Sequence, residues 1–337
     1  MSLTLVDPTG DIVIMSGDDS FQVSSKILST ASPVFSVMFS PLFKEGTLII
    51  DEPKEPAVIH LGDDDAEALF AFFNIVHFRT DEIPEKPTAI FLERFAVLAD
   101  KYMCKKAVVS HVKVWLLKNL RTLSVTELCS FLLLAYIMDI PERFAIISKE
   151  ILFNHVGSYS DLLLLADHPL MDSNIVGRQS IFLSVTNSLI LRTAAVEFER
   201  KRHELHRMVR KALTAALDSS TALKTDESRY ISLYTQKLQA RGLLPGTDAF
   251  EAKSFKQVHL DVSTLSTFHA QPCKLQGCVC MSNKALEHDR KTVRFLNNLK
   301  DAKVGICLDC LRSEGSSFPD CRFTHPFSGD DKAIFTT

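Results

Sequence analysis

The feature that most constrains the fold is a pair of short apolar runs near the amino terminus, separated by turn-forming residues. Residues 11–15 are almost wholly apolar, and residues 21–23 alternate apolar with polar side chains. The segment between them, residues 17–20, has the sequence Gly-Asp-Asp-Ser, which is typical of a tight turn. The pattern predicts a β-hairpin, so the chain is expected to begin with a sheet.

Helical patterns surround this hairpin and one further predicted strand at residues 57–61. Ser24 is placed as an N-cap, and Pro33 stands where the first turn of a second helix tolerates proline. A later segment, residues 69–76, is apolar nearly all round, which predicts a central buried helix. The first 120 residues therefore mix short strands with helices and are predicted to be of the α+β class.

From about residue 121 onward the strand signals fade and helical patterns take over. A capping-box sequence at residues 124–127 opens a predicted helix, and a longer helical pattern covers residues 175–217. The sequence therefore predicts an all-helical middle region, residues 121–250. A small cysteine-rich segment, residues 265–330, follows it.

The composition is that of an ordinary globular protein. Of 337 residues, 46% are hydrophobic and 23% charged, and the net charge of −3 provides no chain-wide attraction for nucleic acid or anionic lipid. No apolar stretch reaches the ~20 residues that a membrane span needs. The first eleven residues lack the basic start and apolar run of a secretory signal. We therefore expect a reducing compartment, the cytoplasm or the nucleus.

Six of the eight cysteines crowd the last quarter of the chain. Four candidate ligands follow the spacing C-x2-C-x10-C-x3-H: they are Cys307, Cys310, Cys321 and His325. This spacing is typical of a structural zinc site, and a segment with few large aliphatic residues can gain its folding energy from the metal. Three upstream cysteines can replace part of this set or form a second site: they are Cys273, Cys278 and Cys280. Which four ligands share one ion is left open.

The alternatives to structural zinc are a set of buried thiols, an oxidisable pair and a catalytic metal site. Free cysteine is often buried, but six cysteines in so short a window are hard to explain that way. A catalytic zinc is disfavoured because the chain has no His-x-x-x-His helix with an intervening Glu. No phosphate-binding glycine loop or nucleophile elbow is present either, so we expect no enzymatic activity.

Three separated segments resemble the signature of the BTB/POZ family. The main one, residues 21–39, has the sequence FQVSSKILSTASPVFSVMF; GDIVI precedes it at residues 10–14, and FAVLADKY follows at residues 95–102. Residues 5–120 are therefore identified as a BTB/POZ domain, which implies a short mixed sheet flanked by helices. The Val-Ser-Ser-Lys sequence, with Ser24 where many members have His or Asp, is similar to the form common in fungal proteins.

The resemblance implies a protein-interaction scaffold or adaptor. BTB domains commonly self-associate, and some recruit a cullin and so act as substrate adaptors of a ubiquitin ligase. Cullin-binding members have a hydrophobic-x-Glu segment after the second signature helix, and here Phe43, Lys44 and Glu45 occupy that place. Only ten residues precede the predicted first strand, so we do not expect the extra amino-terminal helix of strand-exchanged dimers. A homodimer is left open.

The main alternative is a nuclear regulator whose zinc-binding tail contacts nucleic acid. Its support is the cysteine cluster together with a locally basic helix at residues 200–211. That helix lacks interleaved aromatic residues and any groove-reading motif, so its charges are interpreted as a solvated face with internal ion pairs. His77, on an apolar helix, is interpreted as a satisfied core or edge histidine. We expect protein partners and no membrane partner.

Overall fold

The contacts of the chain divide it into two compact units in the computed structural model. The structure describes residues 2–51, 55–62, 64–164, 181–218, 225–265, 283–301, 304–313 and 321–322. The first unit comprises residues 1–147 and 164–192, and the second comprises residues 148–163 and 193–337. The three-part division at residues 5–120, 121–250 and 265–330 stays a prediction.

The first unit contains a four-stranded mixed sheet. Its strands are β1 (Ser2–Leu5), β2 (Ile12–Ser16), β3 (Asp19–Val23) and β4 (Ala57–His60). Their order is β1-β3-β2-β4; β2 pairs antiparallel with β3, and the other two pairings are parallel. The β2–β3 pair confirms the predicted hairpin. Gly17, with a φ of 57°, supplies the left-handed conformation of its turn.

The strand β1 was not predicted from the sequence. The expectation that the first strand begins near residue 11 is wrong, because Ser2 to Leu5 pair in parallel with β3. Leu3 and Leu5 are half exposed, so this segment lacks the buried face that makes β2 recognisable. The first unit therefore begins with an edge strand.

In the described residues, seven α-helices lie wholly within the first unit. They are α1 (Ser25–Ala31), α2 (Pro33–Met38), α3 (Lys44–Asp51), α4 (Ala66–Val76), α5 (Ala89–Lys101), α6 (Lys105–Trp115) and α7 (Val125–Ile137). The Ser24 hydroxyl accepts from the backbone N–H of Ile27, which confirms the predicted cap of α1. The capping box at Ser124 and Glu127 is confirmed at the start of α7. The helix α3 was not predicted.

The core of the first unit is built around α4, which is buried on nearly every side. Phe21, Leu28, Phe35 and Phe72 are each at most 4% exposed. The ring centroids of Phe35 and Phe72 lie 6.1 Å apart, those of Phe72 and Phe73 5.7 Å, and those of Phe73 and Phe21 5.6 Å. These rings form one continuous aromatic interior, which confirms the predicted core.

In the residues that the structure describes, the second unit consists of helices joined by turns and irregular segments, without a strand. It begins within α8 (Pro141–Asn154) and continues through α9 (Tyr159–Leu164), α10 (Ile181–Asp218), α11 (Thr225–Ala240), α12 (Asp248–Glu251), α13 (Phe255–Leu265), α14 (Asn283–Asp301) and α15 (Leu308–Arg312). Among the described residues, no helix has both the length and the apolar character needed to cross a bilayer.

Candidate functional site

The turn between α2 and α3 places an apolar segment on the surface of the first unit. The carbonyl of Phe43 accepts from the N–H of Thr47 at 3.0 Å, so α3 begins directly after Phe43. Gly46 packs against the end of α2 so closely that a Cβ there would lie 1.9 Å from the carbonyl oxygen of Ser40. Because residue 46 has no side chain, α3 is able to pack directly against the backbone of Ser40.

This segment exposes several large apolar side chains. We define the α2–α3 surface by Val37, Leu42, Phe43 and Ile50, which are 55%, 90%, 47% and 58% exposed. The predicted partner-binding residues Phe43, Lys44 and Glu45 lie at its centre, at the start of α3. A cluster of exposed apolar residues on a folded unit is typical of a protein-interaction site.

A groove lies beside the same helix α2. It has a volume of about 650 Å³, and its lining includes Thr30, Ala31, Pro33, Met103, Lys105 and Lys106. Met103 is 62% exposed and has a φ of 52°, a conformation uncommon for a residue with a side chain. The groove therefore combines an apolar lining with two lysines and Asp100, whose carboxylate pairs with Lys105 at 2.6 Å.

Buried contacts of Tyr102 hold Met103 beside α2. The Tyr102 ring stacks on Phe35 with centroids 4.4 Å apart, and the Ser32 hydroxyl donates to the Tyr102 carbonyl at 2.5 Å. The Tyr102 hydroxyl donates to Asp64, which also pairs with Lys101 at 2.6 Å. Burial, more than the charge of Asp64, raises the pKa of Tyr102 well above its usual value, so the phenol keeps its proton and stays a donor.

The second candidate site is a group of three cysteines in the second unit. The sulfurs of Cys307, Cys310 and Cys321 all lie within 4.8 Å of one another, and those of Cys310 and Cys321 are 3.5 Å apart. All three are reduced cysteines that are not joined in disulfides. Cys307 is buried, and the other two are half-buried. Three sulfurs at these separations are able to hold one metal ion, as three of the four ligands of the predicted set.

The electrostatics of the cluster favour a bound cation. Burial raises the pKa of Cys307, although the backbone N–H groups of Cys310 and Asp309 act in the opposite direction. Burial, the hydrogen bond with Cys321 and the charge of Cys307 raise the pKa of Cys310 to about 12. Three thiolates this close repel one another, and a cation removes that repulsion. Metal binding at this cluster should therefore release protons.

Two sets of contacts position the three sulfurs. Arg322, next to Cys321, donates to the carboxylate of Asp309, next to Cys310, through its backbone N–H at 2.9 Å and through Nη2 at 2.6 Å. We refer to this pair as the Asp309–Arg322 clamp. The backbone N–H of Ile306 donates to the buried hydroxyl of Ser148 in α8 at 2.8 Å. Hydrogen bonds therefore fix both the cluster and Ile306, the residue that precedes its first cysteine.

The remaining predicted ligands are not placed by the structure. Cys273, Cys278, Cys280 and His325 lie outside the described residues. Their part in metal binding stays a prediction. The Asp309–Arg322 clamp was missed by sequence reasoning, because an aspartate and an arginine 13 positions apart carry no spacing signal.

The basic part of α10 is extensively ion-paired. Arg200 pairs with Glu197 at 2.6 Å, Arg202 pairs with Glu199 at 2.8 Å, and Lys201 lies 3.1 Å from Glu204. These contacts agree with the interpretation of a solvated face with internal pairs. They also reduce the net charge that the helix offers to nucleic acid, so the nucleic-acid alternative gains no support and stays a prediction.

His77 is satisfied on both ring nitrogens. Its Nδ1 lies 2.8 Å from the Phe73 carbonyl oxygen, and its Nε2 accepts from the backbone N–H of Ser24 at 3.1 Å. Burial lowers the pKa of His77, outweighing its contact with Phe73 and the charge of Asp7. The predicted role as a structural histidine is confirmed, since both nitrogens are used within the first unit.

Comparison with known proteins places the amino-terminal region in a family. Residues 7–113 match the family model described as the BTB/POZ domain. The match covers strands β2, β3 and β4, the aromatic core and the α2–α3 surface, and it confirms the resemblance based on residues 10–14, 21–39 and 95–102. No curated protein and no solved structure matches the chain. The resemblance to fungal members stays a prediction.

Proposed function

We propose that this chain, whose residues 7–113 form a BTB/POZ domain, is an adaptor that docks other polypeptides on the α2–α3 surface. The BTB/POZ domain is a protein-interaction module and is not typically catalytic. The observation that carries the proposal is the presence of four exposed apolar side chains within one segment, residues 37–50, of a unit whose aromatic core is buried. Burying such a cluster against a partner is favourable, at roughly 25 cal/mol per Å² of apolar area.

The α2–α3 surface has the anatomy of a binding hot spot. Phe43 and Leu42 are large anchors on a turn that Gly46 fixes against Ser40, so little conformational entropy is lost when they are buried. The groove beside α2 adds Lys106, which suits an acidic residue of the partner, whereas Lys105 is already paired with Asp100 at 2.6 Å.

The partner that fits the sequence pattern best is a cullin. Phe43, Lys44 and Glu45 match the hydrophobic-x-Glu pattern of cullin-binding members of the family, and Phe43 stands half exposed at the start of α3. A chain of this kind would bring a substrate to a ubiquitin ligase. Self-association through another face of the domain is compatible with this role.

Binding of the purified full chain to a recombinant cullin amino-terminal domain tests the proposal. We expect Leu42→Ala and Phe43→Ala each to weaken binding at least about tenfold, which corresponds to a loss of 1.4 kcal/mol. Leu117→Ala is the matched control, because Leu117 is 64% exposed but lies after α6, away from this segment.

Equal binding by all three variants would refute docking at the α2–α3 surface. No binding by the unsubstituted chain would refute the cullin as partner. A sedimentation experiment on the same samples gives the mass of the chain and so decides self-association separately.

We also propose that Cys307, Cys310 and Cys321 hold a structural zinc ion. Sulfur ligands at tetrahedral spacing are those that zinc prefers, and the fourth ligand is expected among Cys273, Cys278, Cys280 and His325. The ion would tie residues 304–313 to residue 321 and add folding energy to that of the buried aliphatic residues of this segment. A thiol cluster of this kind suits a reducing compartment such as the cytoplasm or nucleus.

Metal analysis of the purified chain tests the zinc proposal. We expect at least one equivalent of zinc per chain and the loss of one equivalent in Cys307→Ser. Cys129→Ala is the control, because Cys129 is a buried free thiol of the first unit and should leave the zinc content unchanged. An unchanged zinc content in Cys307→Ser, or no zinc in the unsubstituted chain, would contradict this site.

A further inference from the structure

Two of the three clustered cysteines are placed to react with each other. The sulfurs of Cys310 and Cys321 lie 3.5 Å apart, and both residues are half-buried, whereas Cys307 is only 4% exposed. A disulfide has a sulfur–sulfur distance of about 2.05 Å, so bond formation needs the two sulfurs to approach by only about 1.5 Å. Cys310 and Cys321 are therefore close enough to react, and they are also the two cysteines of the cluster that a soluble oxidant can reach.

We propose that this cluster is an oxidant-sensitive site in which Cys310 and Cys321 form a disulfide and thereby release the metal. The metal release rests on the proposed zinc site, whereas the disulfide itself depends only on the two sulfurs. A sulfur bound in a disulfide no longer acts as a thiolate ligand. Oxidation would therefore remove two of the three described ligands at once.

The chemistry balances with a hydroperoxide as oxidant. The sulfur of one cysteine attacks the terminal peroxide oxygen, the O–O bond breaks, and a sulfenic acid and an alcohol form (water, when the oxidant is hydrogen peroxide). The sulfur of the second cysteine then attacks the sulfenic sulfur, the S–S bond forms, and water leaves. Two electrons pass from the sulfurs to the peroxide. From the zinc-bound thiolates, the same reaction consumes two protons from solvent and frees the ion.

The surroundings select this pair over the other two. The Asp309–Arg322 clamp joins the residue next to Cys310 to the residue next to Cys321, so the two sulfurs stay opposed when the ion leaves. Cys307 is held differently, since its sulfur faces the backbone N–H groups of Asp309 and Cys310 and is shielded from solvent. Breaking the clamp should slow disulfide formation without removing either cysteine.

Peroxide treatment of the full, zinc-loaded chain tests the inference. Zinc release is followed with a chromophoric chelator, free thiols are alkylated, and the digest is mapped by mass spectrometry without reduction. We expect a Cys310–Cys321 cross-linked peptide, an alkylated Cys307, and zinc release that rises in parallel with the cross-link. Cys307→Ser should still give the cross-link, Cys321→Ser should not, and Arg322→Leu should give it several-fold more slowly.

The outcomes separate this inference from the zinc proposal. A chain that carries zinc but gives no Cys310–Cys321 cross-link, or only cross-links through Cys307, overturns the oxidant-sensitive site and leaves the zinc site intact. A chain that carries no zinc but forms the cross-link refutes the zinc site and supports the dithiol. Zinc release that precedes the cross-link and occurs equally in Arg322→Leu would overturn the proposed coupling between them.

Discussion

The aromatic core of the first unit and the cysteine segment of the second unit are stabilised in different ways. Around α4, consecutive aromatic rings lie within about 6 Å of one another and exclude water without help. The segment at residues 304–313 buries the aliphatic side chains of Val304, Ile306, Leu308 and Leu311, and in addition it brings Cys307 and Cys310 together with Cys321. The difference suggests a comparison that can be tested: we expect the aromatic core to stabilise the first unit by itself, and we propose that the cysteine segment needs a metal bound to its thiols in addition to its buried aliphatic residues.

The largest effect is expected from removing a ring of the aromatic core. Phe35 is fully buried against Tyr102 and Phe72, so Phe35→Ala should lower the free energy of unfolding by about 3–5 kcal/mol. Urea unfolding followed by the fluorescence of Trp115 measures this, because Trp115 is the sole tryptophan and packs on Phe95 within the first unit.

Phe78→Ala is the control for that measurement. Phe78 is 87% exposed, so its loss should change the free energy of unfolding by less than about 0.5 kcal/mol. Equal effects of the two substitutions would show that the aromatic interior does not stabilise the first unit and would remove the contrast with the cysteine segment.

The next largest effect is expected at the α2–α3 turn. Gly46→Ala forces a Cβ to within 1.9 Å of the Ser40 carbonyl, so α3 must move, at a cost of about 1–3 kcal/mol. Trp115 fluorescence in urea reports the stability loss, and cullin binding should fall with it. Gly17→Ala is the control: it adds strain at a positive φ without any clash and lies in the hairpin turn. Unchanged cullin binding by Gly46→Ala would show that docking does not depend on the position of α3.

The Asp309–Arg322 clamp gives a test of the second region. Arg322→Leu removes the hydrogen bonds to Asp309 that orient the two halves of the thiol cluster, and we expect zinc affinity to fall about 10–100-fold. Competition with a chromophoric chelator measures the affinity. The urea midpoint reported by Trp115 should not move. A change in that midpoint with unchanged zinc affinity would contradict the separate stabilisation of the two regions.

The smallest effect is a pH dependence in the first unit. Burial lowers the pKa of His77, so the folded state favours the neutral ring and the unfolded state binds the proton first. The stabilisation is complete above the unfolded value of about 6.5 and is lost as the pH falls from there through the folded pKa. Trp115 fluorescence in urea from pH 7 to pH 5.5 measures this loss.

His77→Gln should flatten this pH dependence, whereas His206→Gln should leave it unchanged. Burial also lowers the pKa of His206, but that residue lies in the second unit, which Trp115 does not report. An equally steep pH dependence in His77→Gln would assign the effect to another group.

Local signals predicted most of the first unit correctly. The hairpin, the caps at Ser24 and Ser124 and the buried face of α4 follow from turn residues, capping side chains and apolar spacing. The helix α3 was missed because its first turn contains Gly46, a poor helix former. In addition, the residue before it, Phe43, has no side chain that could cap a helix. That glycine is explained only by its contact with Ser40, which the sequence does not show.

The candidate sites were predictable to a smaller extent. The spacing of Cys307, Cys310 and Cys321 indicated a shared site, and the structure brings these three sulfurs together. The Asp309–Arg322 clamp was not predictable, since it depends on how the chain returns to the first cysteine pair. The exposure of Leu42 and Phe43 was equally hidden, because an apolar residue in the sequence is by default assigned to a core.

Amide hydrogen exchange of the full chain, with and without a zinc chelator, tests the central claim most directly. The account predicts that chelation removes protection from the amides of Ile306 and of α15 while those of α4 keep theirs. Protection that is unchanged in both regions, or lost in both together, would contradict the claim that the aromatic core stands alone and the cysteine segment depends on its metal.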